Sequence, residues 1–384
     1  MTIILTQTKR GRLVLPRSIN KLFGTGYEQP IEYRSVTGFC ETNVPGVVLG
    51  GNYTGLAKLT DKLILVNGHS HNNNSHGMAQ QLALSGYLRI DNDDSAPADF
   101  PSRGSVLSAL LGCHFNGLPT YVAAARNYGD SSVWLPRCCA PYENSGEAVK
   151  NLNIILEQER HNSRKELLSQ FKDTKLIDRN GNTKAWDTFQ DQVYGLLDGK
   201  AKEAFNLDLE TEETRLKYGK TEIGKQLLLA RRLAESGSKY ISCSFGGFDV
   251  HTNIVSQHNR IDRELDIALS SLITELVDRG LDKHVLVIVN TEFGRTRLYS
   301  NQTPEGGRNH HGLISPLIMF GGGYDGRVIG KMDKKSLEVI SGKTSPGDLN
   351  STVFKFFNLD QKSQLINNAG RPMFLIPDGS KSIV

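Results

Sequence analysis

Between the apolar runs HVLVIVN and LISPLIMFGGG the chain reads TEFGRTRLYSNQTPEGGRNHHG, residues 291–312. Glu292 stands near one end of that stretch and the pair His310 and His311 near the other, with Arg295 and Arg308 just inside them. A carboxylate and imidazoles are hard-to-borderline ligands suited to Zn, Mn or Fe, whereas arginines orient phosphate or sulfate through a planar fork. Two other segments offer the same chemistry. In NGHSHNNNSHGMAQQ, His69, His71 and His76 carry imidazoles, and Ser75 sits where the helix GMAQQLALSG would begin. A serine there caps the helix, beside backbone N–H groups that also bind anions. In FGGFDVHTN, Asp249 and His251 are two residues apart, so an extended chain points both to one side, where they can share a cation. A solvated loop accounts for any one of these segments; their convergence would make an anion-and-metal site.

Positioning them requires strands that deliver all the loops to one edge. The runs KLILV at 62–66, TYVAAA at 120–125, KYISCSF at 239–245, HVLVIV at 284–289 and SPLIMF at 315–320 read as strands. Helical patterns fall between them. Ile254, Ile261, Leu265, Ala268, Leu272 and Leu276 recur at helical spacing up to Gly280, and Ile223, Leu227, Ala230 and Ala234 do so up to Gly237. In SPGDLNSTVFKFFNL, Ser345 caps, Pro346 takes the first turn and Asp348 favours the helix dipole. Strands alternating with such helices predict a doubly wound, mostly parallel α/β sheet covered on both faces. In that fold, loops at the carboxyl ends of the strands gather ligands. Residues 141–220, rich in charge and helical by pattern, are expected to be a helical insertion in a single α/β domain spanning 1–384.

Composition excludes several other roles. At 384 residues the chain lies somewhat beyond the roughly 250–300 at which one core stops growing, a size that elaborated α/β domains reach. Lys plus Arg number 45 against 41 Asp plus Glu, a net +4 spread along the chain, which gives no general electrostatic hold on nucleic acid. No apolar segment approaches the roughly 20 residues that cross a bilayer, and the opening MTIILTQTKRGRLVLPRS is too short in apolar residues for a secretory signal, so a cytoplasmic protein is expected, or one whose export signal has been lost or removed. Five cysteines without a C-x-x-C pair read as reduced thiols.

Ordered blocks along the chain, including TNVPGVVL, HNNNSHG, PADFPSRGSVLSALLG, RLKYGKTEIGKQLLLARRLAESG, GGFDVHTN, TEFGRT, GGRNHH and FGGGYDGRVIG, resemble the bacterial DUF1501 family. That family belongs by fold to the alkaline-phosphatase and sulfatase-like superfamily. The resemblance implies one or two divalent ions, often Zn, with Mn, Fe, Ca or Mg as alternatives, and a hydroxyl nucleophile acting on phosphate or sulfate esters. Carried over by position, Asp249, His251, Glu292 and His310 are implied as metal ligands, with His76 and His71 added from the first loop. Ser75 is implied as nucleophile, and Arg295 and Arg308 as holders of the substrate anion. Phe293 stands where the superfamily has a histidine, Asn309 where family members carry an aspartate, and the usual N-terminal acidic ligand loop is replaced by a segment with no acid before Glu28. Those departures imply a site with one metal, or none. The expected function is therefore a metal-dependent hydrolase of a small anionic ester. The alternative is a catalytically degenerate relative serving as a binding or assembly component with partners of its own.

Overall fold

The computed structural model describes residues 2–7, 35–90, 97–115, 117–144, 200–296, 306–333 and 337–384, with scattered positions between 160 and 170. Eight strands form the central sheet: β1 (Thr2–Gln7), β2 (Leu63–Val66), β3 (Tyr121–Ala123), β4 (Tyr142–Glu143), β5 (Tyr240–Ser244), β6 (Val285–Asn290), β9 (Leu317–Gly321) and β10 (Arg327–Ile329). Of the short two-stranded ladders outside it among the described residues, the one at the site pairs β7 (Gly294–Arg295) with β8 (His310–His311). Across the sheet the order is β10-β2-β9-β6-β1-β5-β3-β4.

The sheet is mixed, which corrects the expectation of a mostly parallel one. Strands β10 and β2, β5 and β3, and β3 and β4 pair in parallel, but β9 runs against both β2 and β6, and β1 runs against both β6 and β5. The reason for β9 lies in its connection. Strand β6 ends at Asn290, and residues 291–316 lead into β9 at the same edge, where Val66 of β2 lies opposite Leu317. A strand entered from the edge its neighbour has just left must run back antiparallel. The same turn brings the two ends of the 291–312 stretch together, and delivers the loops after β2, β5 and β6 and the one before β9 to one rim. Strand β1, which the sequence reading did not pick out, occupies the middle of the sheet, with Thr2 opposite both Asn290 and Ser244.

Alternation along the strands covers both faces, as period-two packing requires. Val285, Val287 and Val289 of β6 join one core cluster with helices α3 (Glu222–Ser236) and α4 (Ile254–Asp278), while Leu286 and Ile288 join another with α2 (Arg103–Leu111) and α5 (Pro346–Phe356). Both predicted stripes are buried: Ile223, Leu227, Ala230 and Ala234 on α3, and Ile254 through Leu276 on α4. Helix α3 stops at Gly237, whose φ of 109° is a left-handed C-cap. Helix α5 opens with a full capping box, Ser345 accepting from the Asp348 N–H and the Asp348 carboxylate accepting from the Ser345 N–H. The expected helical insertion at 141–220 falls mostly outside the described residues. Its first residues supply the edge strand β4, and its end forms a helix at Glu212–Lys217.

One histidine of the first loop serves the fold. His69 is 2 % exposed, lies 3.3 Å by Nδ1 from the Thr344 hydroxyl, and accepts from the Ser315 N–H through its carbonyl. Burial, followed by the neighbouring charges of His71 and Arg103, pushes its pKa from 6.5 down to about 3. The folded chain therefore holds a neutral ring where the unfolded chain would take a proton below pH 6.5. Stability from this group is complete above that pH and is lost progressively as pH falls toward 3, a cost on the order of several kcal/mol. Melting temperatures recorded from pH 7.5 to 4.5 are expected to fall below pH 6.5, and His69→Asn should flatten that part of the profile.

Candidate metal centre

Helix α1 (His76–Ser85) begins at the rim after β2, and its first residue points into the site. Ser75 stands at the N-cap position with extended backbone (ψ 133°), yet its side chain makes no cap hydrogen bond, contrary to the capping expected of it. The turn is held instead by Asn73, whose side-chain oxygen accepts from the Ser75 N–H at 2.8 Å.

The loops are locked to one another through backbone. The His71 N–H donates to Gly312 C=O at 2.9 Å, and the Gly312 N–H donates to the Asn74 side-chain oxygen at 2.6 Å. A Cβ on Gly312 would lie 2.3 Å from the Asn73 carbonyl oxygen, so only glycine allows this approach. On the other side, the Arg308 N–H donates to Val250 C=O at 3.1 Å, and a Cβ on Gly307 would fall 2.1 Å from that same oxygen and 2.2 Å from the Cα of His251. In the small ladder of β7 and β8, Arg295 is directly opposite His310.

These constraints converge on Asp249. Its Oδ1 lies 2.7 Å from an Arg295 guanidinium nitrogen, 2.8 Å from His251 Nε2 and 3.1 Å from His310 Nε2, while Oδ2 lies 3.1 Å from His76 Nε2. Partial burial alone would raise its pKa, but the bonds from Arg295 and His310 and the charges of Arg295 and His76 outweigh it. The carboxyl is held well below the usual carboxylate range. Asp249 is therefore an anion at any working pH.

Each of the two central imidazoles meets an acceptor on both sides. His76 Nδ1 faces Glu292 Oε1 at 3.2 Å and His310 Nδ1 faces the Asn74 C=O at 2.7 Å, while both Nε2 atoms face the Asp249 carboxylate. A neutral imidazole has one donor and one acceptor, so it can satisfy only one of those neighbours. With Nδ1–H donated outward to Glu292 and to Asn74, both Nε2 lone pairs would point at the carboxylate, and a cation between them would remove the conflict. This is the pattern in which a metal-bound histidine gives its other N–H to a carboxylate or carbonyl. One ligand atom each from His76, Asp249 and His310 lie within 4.8 Å of one another. The 3.1 Å separations of the two Nε2 atoms from the carboxylate oxygens are near the roughly 3.3 Å edge of a tetrahedron with 2.0–2.1 Å bonds. The ring of His310 stacks on Phe293 with centroids 4.2 Å apart, and that phenyl is 3 % exposed.

The other expected site residues are placed differently. Glu292 touches the far side of His76, as an orienting group. His71 is turned away: the Asn73 N–H donates to its Nδ1 and its Nε2 meets the Glu292 carbonyl, so both nitrogens are engaged with backbone. Its expected role as a ligand is corrected on that ground. His251 reaches Asp249 but stands outside the three-residue group. His311 bonds the Leu337 carbonyl at 2.7 Å. Arg295 is paired with Asp249, and Arg308 is buried at 7 % exposure, so neither presents itself as an anion holder in the way expected. An open depression of about 580 Å³ is lined by Asn72, Asn73, Asn74, Ser75, His76, Met78 and His310. The sequence reading did not assign Asn73 and Asn74 a role. Their N-N-N-S run signals a turn, but a ligand-orienting backbone carbonyl has no residue-type signature.

A family model described as "Protein of unknown function (DUF1501)" matches residues 9–383. The chain belongs to the DUF1501 family. No curated protein matches it. Five chains of solved structures do. One is the phosphonate monoester hydrolase SpPMH from Silicibacter pomeroyi, 14% identical, with a TM-score of 0.37 over 85% of this chain and 70% of that one. In this DUF1501 member the site rests on its own geometry. Gly307→Ala should push the 249–251 and 306–308 loops apart, lowering stability by about 1–3 kcal/mol, read by denaturant unfolding. It should also weaken divalent-metal binding, read by titration calorimetry.

Proposed function

We propose that this DUF1501 protein is a metal-dependent hydrolase of small phosphate or sulfate esters, with a cation, Zn the first candidate, held by His76, Asp249 and His310. The observation that carries this reading is the meeting of two imidazole Nε2 atoms with one ionised carboxylate, each ring backed by an acceptor. His76 and Asp249 have side chains 42% and 45% exposed, which leaves coordination positions open toward solvent, as a catalytic rather than a structural site requires. A divalent ion bound there would polarise an ester oxygen and lower the pKa of a hydroxyl beside it. Ser75 lines the same depression, is not spent on capping α1, and would be the hydroxyl that attacks phosphorus or sulfur as the ester oxygen leaves. Arg295, held on Asp249, fixes the carboxylate rather than the substrate.

One feature supports a second reading. The Arg295 guanidinium already neutralises Asp249 without any ion, and His251 contacts the same Oδ1, as a binding or assembly component that has given up catalysis would need. Metal analysis separates the two readings. Protein purified without chelator should carry a divalent ion that is lost in Asp249→Asn and in His310→Ala, and hydrolysis of p-nitrophenyl phosphate or sulfate should disappear with it. Wild-type protein that binds neither Zn, Mn, Fe, Ca nor Mg would exclude the hydrolase.

Two substitutions sort the roles further. Glu292→Gln should weaken metal affinity by about 10–100-fold while leaving the stoichiometry intact, the effect of an orienting partner. Ser75→Ala should keep the metal and lose turnover by several orders of magnitude.

A further inference from the structure

A second group of metal-ligating side chains lies in another part of the fold and shares no residue with the site around Asp249. Cys113 follows the end of α2, after Gly112, and Cys138 and Cys139 sit on the short turn Arg137–Cys139. The Cys113 sulfur is 2.9 Å from that of Cys138 and 3.4 Å from that of Cys139, and all three lie within 4.8 Å of one another. No disulfide joins them. Their walls are apolar: Val106, Leu135, Phe354, Leu375 and Ile376 belong to the same buried cluster.

Cysteines often fill cores as small hydrophobes, one at a time. Here a neighbouring pair on one turn and a third residue about 25 positions earlier aim at a single point, an arrangement that packing alone does not ask for. A thiol–disulfide switch is disfavoured as well, because exchange needs an accessible thiolate. Three sulfurs gathered at one buried point in apolar surroundings match the donor set of a soft cation.

We propose that Cys113, Cys138 and Cys139 form a trithiolate site for a thiophilic d10 cation, Zn(II) or Cu(I). Binding releases the thiol protons to solvent, and sulfur replaces water around the ion without any change of oxidation state. Two 2.3 Å metal–sulfur bonds at a tetrahedral angle span about 3.8 Å, so Cys113 and Cys138 must part by roughly 1 Å on binding. That movement falls on the terminus of α2 and on a one-turn helix. Cu(I) would be complete with the three sulfurs. Zn(II) would need a fourth ligand as well.

The test uses the full-length chain, purified anaerobically, as wild type, Asp249→Asn and Cys113→Ser. Asp249→Asn removes the nitrogen–oxygen site, so whatever metal it keeps belongs elsewhere. Elemental analysis should find about one equivalent of Zn or Cu in Asp249→Asn and none of that equivalent in Cys113→Ser, and the absorption edge tells the two metals apart. X-ray absorption on Asp249→Asn should show a shell of about three sulfurs near 2.3 Å. A shell of only nitrogen and oxygen, or no metal in Asp249→Asn after incubation with Zn(II) and with Cu(I), overturns the site. So does an intact mass short by two hydrogens, the signature of a disulfide. These last readings are made on chains that keep all three cysteines and so stand even if Cys113→Ser fails to fold. They are also independent of whether the Asp249 site hydrolyses anything.

Discussion

A single ionised carboxylate organises the candidate site. Asp249 receives Arg295, His251 and His310 on one oxygen and His76 on the other, so side chains from four loops are tied to one group of about 3 Å extent. Charge-assisted hydrogen bonds of this kind are roughly twice as strong as neutral ones, and removing the shared acceptor would leave several cationic or donor groups facing each other. The loops could not approach so closely without Gly307 and Gly312, where a single methyl group would collide with a neighbouring carbonyl. The backbone therefore makes room, and the carboxylate uses it. The rest of the rim is arranged behind that pairing, with Phe293 under His310 and Glu292 behind His76.

The sheet explains why four distant segments arrive at one place. Six strands share a direction, which sends the loops after β2, β5 and β6 to the same rim, and the two reversed strands do not disturb this. Strand β9, entered from that rim, adds a fourth loop that a strictly parallel arrangement would have kept apart from the third. The antiparallel step is thus what puts Arg295 opposite His310. Apolar side chains on both faces of β6 hold the strand that carries Glu292 between two helix layers, so the rim is built on a rigid base.

Much of the framework was legible in the sequence because burial leaves a periodic trace. The stripes ending at Gly237 and near Gly280 report which helix faces are covered, and each of the five strand runs overlaps a real strand, with ends displaced by up to two residues. Direction was not legible, since an apolar run looks the same whichever way its neighbour points, and β1, TIILTQ, has only three apolar residues in a row, Ile3 to Leu5. The site was legible in part. Residue types and spacing gathered Asp249, His76 and His310 into one proposal, but they could not separate a ligand from the group behind it. His71 and His76 are equivalent as letters. They differ because the Asn73 N–H and the Glu292 carbonyl occupy one ring, whereas the other has a carboxylate on either side.

The balance between a cation and the ion pairs decides what the site can do. Oδ1 of Asp249 already has three nitrogen neighbours, from Arg295, His251 and His310, whereas Oδ2 has only His76. A divalent ion entering from the open side would replace the contacts of the two Nε2 atoms and leave Arg295 and His251 in place on Oδ1. The guanidinium would then act against the ion by like charge and, at the same time, fix the carboxylate in the orientation that binds it. Such a centre would hold a metal less tightly than one with several free carboxylates, and with a single acid at its heart its affinity would depend strongly on every group that orients an imidazole. The Asn74 carbonyl and Glu292 are for that reason as much a part of the centre as the atoms that would touch the ion.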